Sequence, residues 1–303
     1  MKKILVCWVI VLVGFMGFAQ ETEPALARVH YEFFHINDTL QPDKPSLEEM
    51  VLFVGQSSTL YGSFEFAKIL QQLEKQVADP GFDGNLVIAS SRGNTPSSYY
   101  TDLYQREFRH IYQSQGAHYL MDEKFPVIDW VIGEETKQIG GYGVQQAKGW
   151  FGGREYVVWF TSELPFQGGP WKLQGLPGLV LEAVSTGGDV QFTYAGMETV
   201  LEGESRIGIP ANAIATTPQA LDRLLEAVRR NPQAAMNARG AANQPREAAT
   251  ANPGSGQGVI TFSMGGNPLA NPALDPTKIK SISINRASSS RSQVVNNPLE
   301  LKN

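Results

Sequence analysis

The aromatic side chains best suited to bind a ligand are concentrated in one part of this chain. After Trp8, every tryptophan lies between positions 130 and 171. Aromatic residues line apolar ligand sites, but they also fill the cores of sheet proteins. The tryptophan cluster is therefore consistent with a groove for an apolar ligand or partner and also with a plain sheet core, and the sequence favours the core. The candidate ligand-binding residues are Trp150, Trp159, Trp171, Gln146 and Arg154.

Gln146 and Arg154 are candidates because of their predicted strand partners. A hairpin folded about Gly152-Gly153 sets Gln146 opposite Trp159, on a face that mixes polar and apolar side chains. The same hairpin sets Arg154 opposite Phe151. This pairing favours a cation–π contact at the end of the hairpin, and contact with a ligand is the alternative.

No residue pattern points to catalysis. His30 and His35 fall on opposite faces of one predicted strand, and His110 and His118 could approach across a hairpin without a third ligand. The sequence contains no HExxH, P-loop or dinucleotide-binding motif, and Thr261–Gly265 lacks the first glycine of a nucleophile elbow. The sequence therefore predicts no catalytic residues, no metal site and no cofactor.

The charge of the chain argues against nucleic acid as a partner. It carries 25 basic and 30 acidic side chains, and the basic residues form no cluster or stripe. A nucleic-acid-binding face needs such a concentration of Lys and Arg. Cys7 is the only cysteine, so we expect no disulfide and no thiol chemistry in the rest of the chain.

The first residues have the pattern of an export signal. Lys2 and Lys3 precede an apolar run, and small residues follow it up to Ala19. We predict a signal peptide over residues 1–19. An uncleaved anchor helix is the alternative, but the run is shorter than the roughly 20 residues that a spanning helix needs. No second apolar run of that length follows, so we expect no membrane span after cleavage. These features predict a location in the periplasm or outer cell envelope, or secretion.

Two Gly-Gly pairs predict β-hairpins in the middle of the chain. The first hairpin turns at Gly152-Gly153, and the second, at Gly187-Gly188, sets Ala183 opposite Phe192. Each hairpin has one apolar face, which is typical of antiparallel sheet. The side chains expected to be buried together are Tyr156, Val158, Phe160, Leu179, Leu181, Phe192 and Tyr194.

Strands and two helices are predicted on either side of these hairpins. Strand-forming residues dominate Arg28–Ile36, and Ser63 can cap a helix over residues 64–77. Thr217-Pro218 begins a second helix, which ends near Asn231. We predict a mainly β fold: a curved antiparallel sheet or sandwich built from hairpins, with one or two peripheral helices.

The domain organisation follows from a change in composition near the second helix. Residues 232–258 contain almost no large apolar side chain and are predicted to be a disordered low-complexity insertion. The β domain with its peripheral helices is expected over residues 20–231. After the insertion, we expect a returning β-hairpin over residues 259–285 and a tail over residues 286–303.

The most unusual segment is the proline- and glycine-rich stretch Ser162–Leu179. Leu176–Leu179 predicts a type II turn, with Pro177 at its second position and a φ near +80° at Gly178. The prolines prevent the segment from pairing as a strand throughout. We therefore expect it to fold back over the sheet, with Trp171 partly buried at the rim.

This segment and its surroundings resemble the GLPGLI family of exported bacterial envelope proteins. The matching motifs are Asp129-Trp130, Glu135-Thr136-Lys137, Ile139–Tyr142, Ala147, Gly153–Tyr156, Trp159–Thr161, Gly169–Lys172, Gly175–Val180 and the closing Asn297–Leu301. The resemblance implies export and frequent association with envelope transport systems, and it supplies no catalytic residues. Many members have Cys where this chain has Val144, so a redox role resting on that Cys does not carry over.

These observations predict a non-enzymatic cell-envelope module that binds an apolar ligand or an outer-membrane partner. An accessory structural protein of an outer-membrane transport system is one alternative, and a hydrolase of unrecognised type is another. The layout of helices on a curved sheet is also similar to that of LolA-like periplasmic lipoprotein carriers. That similarity is an analogy of fold only.

Overall fold

The computed structural model describes residues 22–90, 95–201, 205–231, 279–286 and 294–301. The predicted signal peptide and the predicted disordered insertion lie outside these residues. So does the first strand of the predicted returning hairpin, at residues 259–264.

The described residues form sixteen strands and two helices. They are β1 (Glu23–Pro24), β2 (Ala27–His35), β3 (Ser46–Val54), β4 (Ser58–Ser63), α1 (Glu65–Ala78), β5 (Asn85–Ser90), β6 (Ser97–Asp102), β7 (Glu107–Ser114), β8 (Ala117–Glu123), β9 (Val131–Ile139), β10 (Tyr142–Phe151), β11 (Arg154–Thr161), β12 (Leu179–Ser185), β13 (Val190–Thr199), β14 (Arg206–Ile207), β15 (Ile214–Ala215), α2 (Pro218–Arg230) and β16 (Ser281–Arg286).

Twelve of these strands form one curved sheet. Its order is β15-β8-β7-β6-β4-β3-β2-β13-β12-β11-β10-β9. Every pairing in it is antiparallel except that of β15 with β8. Most neighbours in the sheet are also neighbours in sequence, as expected for a protein built from hairpins. The predicted mainly β fold with peripheral helices is confirmed.

The first predicted hairpin has the expected register. Phe151 pairs with Arg154, and the ladder runs without a break to the pair of Gln145 and Phe160. In the second hairpin, Ala183 pairs with Phe192, as predicted. Because successive side chains of a strand point to opposite faces, this register decides which side chains enter the core.

The apolar faces of both hairpins contribute to one large core. Six of the seven side chains predicted to be buried together are buried in it, and Tyr194 packs against it while partly exposed. Lys148 and Thr193, on the opposite face, are exposed. The alternation of the sequence therefore indicated the correct face of each hairpin.

The two helices lie outside the large sheet and begin close to the predicted positions. In α2, the Thr217 side chain accepts a hydrogen bond from the Ala220 N–H at 3.2 Å, which is the expected N-cap, with Pro218 in the first turn. Helix α1 packs on the strand that follows it, and the small apolar cluster between them contains Leu73 and Leu86.

The strand predicted near residues 279–285 forms, but its partner differs from a hairpin partner. β16 pairs in parallel with β5, which precedes it by almost two hundred residues. Among the described residues, β16 and β5 form a separate two-stranded sheet beside α1. A parallel pairing requires a long connection, and composition gives no signal for such a distant partner.

The predicted type II turn at Leu176–Leu179 is wrong, although its glycine is required. Gly178 has a φ of +157°, and its N–H donates to the Leu176 carbonyl at 2.8 Å, which is the pattern of a γ-turn centred on Pro177. A Cβ at position 178 would lie 2.1 Å from the Thr161 carbonyl oxygen. Close approach of two backbone segments, rather than turn geometry, therefore explains Gly178.

This close approach gives a test of the loop. We expect Gly178→Ala to lower the free energy of unfolding by roughly 1–3 kcal/mol through overpacking against Thr161. The control is Gly188→Ala, at a φ of +71° with no atom within 4 Å of the added Cβ; it should cost about 1 kcal/mol from φ strain alone. Urea unfolding would measure both, and an equal loss in the two variants would contradict the explanation.

Candidate functional site

A cavity of about 710 Å³ opens on the side of the sheet that carries the large core. Its volume is in the range of small-molecule sites. The sheet, the proline-rich loop, helix α2 and the C-terminal segment all contribute to its walls. The residues that line it are Phe33, His35, Asn37, Ser46, Met50, Tyr61, Thr95, Pro96, Ser97, Tyr99, Tyr112, Trp171, Phe192, Asp222, Val295, Pro298 and Leu299.

The floor of the cavity is a set of contacting aromatic rings. Phe192 pairs with Phe33 across β13 and β2, and their rings stack at a centroid distance of 5.1 Å. Trp171 stacks on Phe192 at 6.4 Å, and Tyr61 meets Phe192 edge to face at 6.3 Å. These arrangements are the favoured geometries of aromatic pairs. The floor is thus apolar and closely packed.

Trp171 reaches this floor because the loop has an unusual backbone. Trp171 has a φ of +55°, a left-handed conformation that is uncommon for a bulky residue. The Leu173 N–H donates to the Pro170 carbonyl at 3.0 Å and closes a tight turn around it. The loop folds back over the sheet as expected, but Trp171 is buried rather than at the rim, with 3% of its surface exposed.

Tyr61 lines the cavity and carries a buried hydroxyl without a partner among the described residues. Burial raises the pKa of Tyr61 well above its usual value, and the nearby Glu48 adds to the rise. The phenol therefore stays protonated and can donate a hydrogen bond. A buried donor without a partner is costly unless something in the cavity accepts from it.

A second polar feature of the cavity wall is a chain of hydrogen bonds that starts at Ser97. The Ser97 Oγ lies 2.8 Å from the His110 Nε2, and the His110 Nδ1 lies 3.0 Å from the Glu123 Oε1. The Lys172 Nζ donates to the Glu123 Oε2 at 2.6 Å. The His110 ring also stacks on Tyr99, with centroids 4.8 Å apart, so its orientation is fixed. The Ser97 hydroxyl, the His110 imidazole and the Glu123 carboxylate therefore form one continuous hydrogen-bonded chain.

The charges around this chain hold Glu123 ionised. Burial would raise the pKa of the Glu123 carboxyl, but hydrogen bonds from His110 and Lys172 and the Lys172 charge outweigh it and lower the pKa to about 2. An ionised carboxylate can only accept hydrogen bonds. The proton between it and the imidazole therefore resides on the His110 Nδ1, and in the neutral imidazole with this tautomer Nε2 accepts from Ser97.

Two neighbouring groups support this arrangement. Burial raises the pKa of Tyr99 to about 12, against the opposing effects of the Lys172 charge and of hydrogen bonding to Trp171 and Ser97. Upstream, buried Glu48 accepts hydrogen bonds from the Thr95 N–H at 2.8 Å and from the Thr95 hydroxyl at 2.6 Å. Glu48 thereby fixes the backbone that leads into Ser97.

The sequence did not reveal the chain from Ser97 to Glu123. It paired His110 with His118, but in the structure His118 lies opposite Gln113, and His110 lies opposite Met121. The available signal was alternation, since residues at every second position of β6, β7 and β8 share one face. Pairing three strands in the correct register was needed to use it.

The five candidate ligand-binding residues do not form one site. Trp171 lines the cavity, whereas Trp150 is 68% exposed elsewhere on the sheet. Trp159 is covered by Lys137, whose Nζ lies 4.3 Å from the ring centroid. Gln146 donates to the Glu135 carboxylate at 2.7 Å. The predicted grouping of three tryptophans in one groove is therefore wrong, because Trp150 and Trp159 share the face of their hairpin that points away from the core, whereas the loop buries Trp171 on the core side.

Arg154, the fifth candidate, anchors the C-terminal segment and is not among the residues that line the cavity. Its buried guanidinium donates to the Asp189 Oδ2 at 3.0 Å, to the Pro298 carbonyl at 2.8 Å and to the Leu299 carbonyl at 2.7 Å. It also donates to the Asn297 side chain. Because Pro298 and Leu299 line the cavity, Arg154 holds one wall in place.

Neither a metal-ligand cluster nor a helix that could span a membrane occurs in the described ranges. No group of three or more His, Cys, Asp or Glu side chains there could hold a metal ion. No helix in the same ranges is long and apolar enough to cross a membrane.

Comparison with known proteins gives little. No protein-family model and no curated protein match the chain. Two solved structures of PNGF-II are similar to it, one in space group C2 at 15% identity and one in P21 at 14%, each with a TM-score of 0.44 and covering 66% of this chain. The chain spans about a third of those chains, 32% and 33% respectively. A likeness this weak supports no inference about function.

The Arg154 anchor makes a strong prediction. Arg154→Ala leaves Asp189 without its buried cation, and we expect a loss of about 3–5 kcal/mol in the free energy of unfolding. Arg154→Lys should recover only part of this, since an ammonium cannot reproduce the forked donors. Arg230→Ala, at an exposed ion pair, is the control and should cost about 0–1 kcal/mol. Chemical denaturation would measure the free energy of unfolding of each variant. A loss in Arg154→Ala no larger than that in Arg230→Ala would contradict the prediction.

The lowered pKa of Glu123 predicts how the free energy of unfolding changes in acid. The Glu123 pKa falls from 4.5 to about 2 on folding, so its stabilising contribution is complete above pH 4.5 and is lost as the pH falls through 2. We expect Glu123→Gln to be less stable than the wild type at pH 7 and to lose less stability between pH 4.5 and 2. Urea unfolding at several pH values would measure this, with exposed Glu134→Gln as control. Parallel slopes for Glu123→Gln and the wild type would contradict it.

Proposed function

We propose that this protein is an exported cell-envelope module that binds a neutral, largely apolar ligand in the aromatic cavity. The observation that carries the proposal is the combination of an aromatic floor with the unpartnered hydroxyl of Tyr61. Apolar surface supplies affinity, and a single well-placed donor fixes the orientation of the ligand. The ligand therefore has an apolar body and at least one hydrogen-bond acceptor.

The charges near the cavity favour a neutral ligand over an anion. Asp222 of α2 lines it, and the buried Glu48 carboxylate lies near Tyr61. The Lys172 cation behind this wall is already paired with Glu123 and Glu300. An anionic group in the cavity would lose its hydration without gaining an unpaired cation, which is unfavourable.

Membership of the GLPGLI family is part of the proposal. Several residues of the matching motifs have a structural role. Gly178 permits the close approach of the loop, and Trp171 lines the cavity. Lys172 pairs with Glu123 behind the cavity wall, and Arg154 anchors the closing segment. This supports the view that the motifs exist to build the cavity. Export follows from the same resemblance and from the signal pattern of residues 1–19.

Ligand binding can be tested through Tyr61 with the dye Nile red, which is neutral, apolar and carries a carbonyl acceptor. We expect the wild type to bind it with enhanced fluorescence. Tyr61→Phe should weaken binding about 2–10-fold, since it removes one hydrogen bond. Because the same change removes a buried unpartnered hydroxyl, the free protein should be as stable as the wild type or more so.

Tyr156→Phe is the matched control. The Tyr156 hydroxyl is also buried without a partner among the described residues, but Tyr156 does not line the cavity. Tyr156→Phe should be more stable than the wild type and should bind Nile red with unchanged affinity. No dye binding by the wild type, or equal affinity of Tyr61→Phe and wild type, would refute the proposed site. Mass spectrometry of an organic extract of the purified protein would identify natural occupants.

A further inference from the structure

We infer that Ser97, His110 and Glu123 form a nucleophilic relay that cleaves a carboxylic ester whose apolar part fills the aromatic cavity. The inference rests on the proposed binding site for the placement of the ester, and it adds a reaction to it. The acceptor inferred for the ligand is then the ester carbonyl. The sequence favoured a protein without enzymatic activity, and it is the side-chain geometry that points to catalysis.

The spacing of the three groups is that required for nucleophilic catalysis. A serine hydroxyl is a weak nucleophile unless a base within hydrogen-bond reach accepts its proton, and the base must be oriented by a third group. The distances of 2.8 Å and 3.0 Å along this chain meet both conditions. The same order of roles recurs on unrelated folds, so it is recognised by geometry rather than by sequence order.

The surroundings of the relay keep its carboxylate charged. Lys172 and His110 hold Glu123 ionised, so the His110 Nδ1 donates to it, and Nε2 of the neutral imidazole is the base. The ring of His110 is held by its stacking on Tyr99. Lys172 and Glu123 are therefore positioning residues, and Ser97 and His110 are the groups that would meet the substrate.

In this reaction Tyr61, which also lines the cavity, is the donor to the developing oxyanion. Tyr61 lies directly opposite Tyr99 across β4 and β6, and Ser97 is two residues from Tyr99 on the same face. The Tyr61 Oη–H, which has no partner within the described ranges, can donate to the carbonyl oxygen as negative charge accumulates there. Stabilisation of this charge is usually a large part of acyl-transfer catalysis.

The reaction proceeds in two balanced steps. The Ser97 Oγ attacks the ester carbonyl carbon while the His110 Nε2 takes the hydroxyl proton. The bond from that carbon to the alkoxy oxygen then breaks, and His110 returns the proton to the departing alcohol. In the second step, water attacks the acyl-serine, its proton passes through His110 to the Ser97 Oγ, and the carboxylic acid is released.

The relay can be tested on the full chain with an alkyl fluorophosphonate, which forms a stable adduct with activated serines. We expect a single adduct by intact mass spectrometry, and peptide mapping should place it on Ser97. We also expect measurable hydrolysis of p-nitrophenyl butyrate. Ser97→Ala and His110→Gln should abolish labelling and lower turnover by about 100-fold or more.

Ser98→Ala is the matched control, because Ser98 is the adjacent serine and does not line the cavity. It should keep both labelling and turnover. Glu123→Gln separates positioning from mere support of the fold: it should lower turnover strongly while leaving Nile red affinity unchanged. Circular dichroism would establish that each variant is folded, and mapping the adduct in the wild type requires no variant at all.

The outcomes separate this inference from the proposed binding function. If the wild type binds Nile red but gives no adduct and no turnover, the relay is refuted and the binding site stands. An adduct mapped to another residue, or one that persists in folded Ser97→Ala, refutes it equally. If Nile red does not bind while Ser97 is labelled, the proposed ligand site is refuted and the activated serine stands.

Discussion

The buried guanidinium of Arg154 is the interaction on which the cavity depends. Desolvating a charge of this kind is expensive, and the cost is offset only when every donor finds a well-placed acceptor. Here the acceptors come from Asp189, at the turn between β12 and β13, and from the C-terminal residues Asn297, Pro298 and Leu299. Three segments far apart in sequence must therefore meet at one point. That meeting fixes the C-terminal residues that form one wall of the cavity.

A second buried cation connects this wall to the polar chain. Lys172 follows Trp171 in the proline-rich loop, and it pairs with Glu123 of β8 and with Glu300 of the C-terminal segment. The backbone that buries Trp171 under the cavity thus also delivers the charge that keeps Glu123 ionised. Ligand-binding and polar features of the site are consequently parts of one structure, because a shift of the loop would disturb both.

The cavity itself reflects the size and curvature of the sheet. Strongly twisted sheets of more than about ten strands tend to curl. The apolar face of a curled sheet must be covered, and among the described residues the cover consists of the proline-rich loop, the short C-terminal segment and part of α2. These elements fill most of the space with Trp171, Leu173 and Leu176, which are buried. They leave the space in front of Tyr61 and Ser97 open.

The sequence by itself determined what local rules control. Gly-Gly turns and alternation set the register of the first hairpin from Phe151–Arg154 to Gln145–Phe160, and Thr217-Pro218 marked the start of α2. The same rules identified the face of each hairpin that packs into the core. They failed where a residue's role depends on a distant segment: Gly178 is needed because Thr161 approaches it, and Arg154 because the C-terminal segment arrives beside it.

The residues of the site also differ in whether local sequence rules or tertiary contacts determine their roles. Sequence identified the aromatic loop that carries Trp171, but it grouped that residue with Trp150 and Trp159, which the strand alternation sends elsewhere. Ser97, His110 and Glu123 lie on three strands, and only the pairing of β6, β7 and β8 brings them together. Each residue alone is an ordinary member of an alternating strand. Tertiary structure decided their role, since a hydrogen-bonded chain of side chains depends on distances of about 3 Å that no single strand encodes.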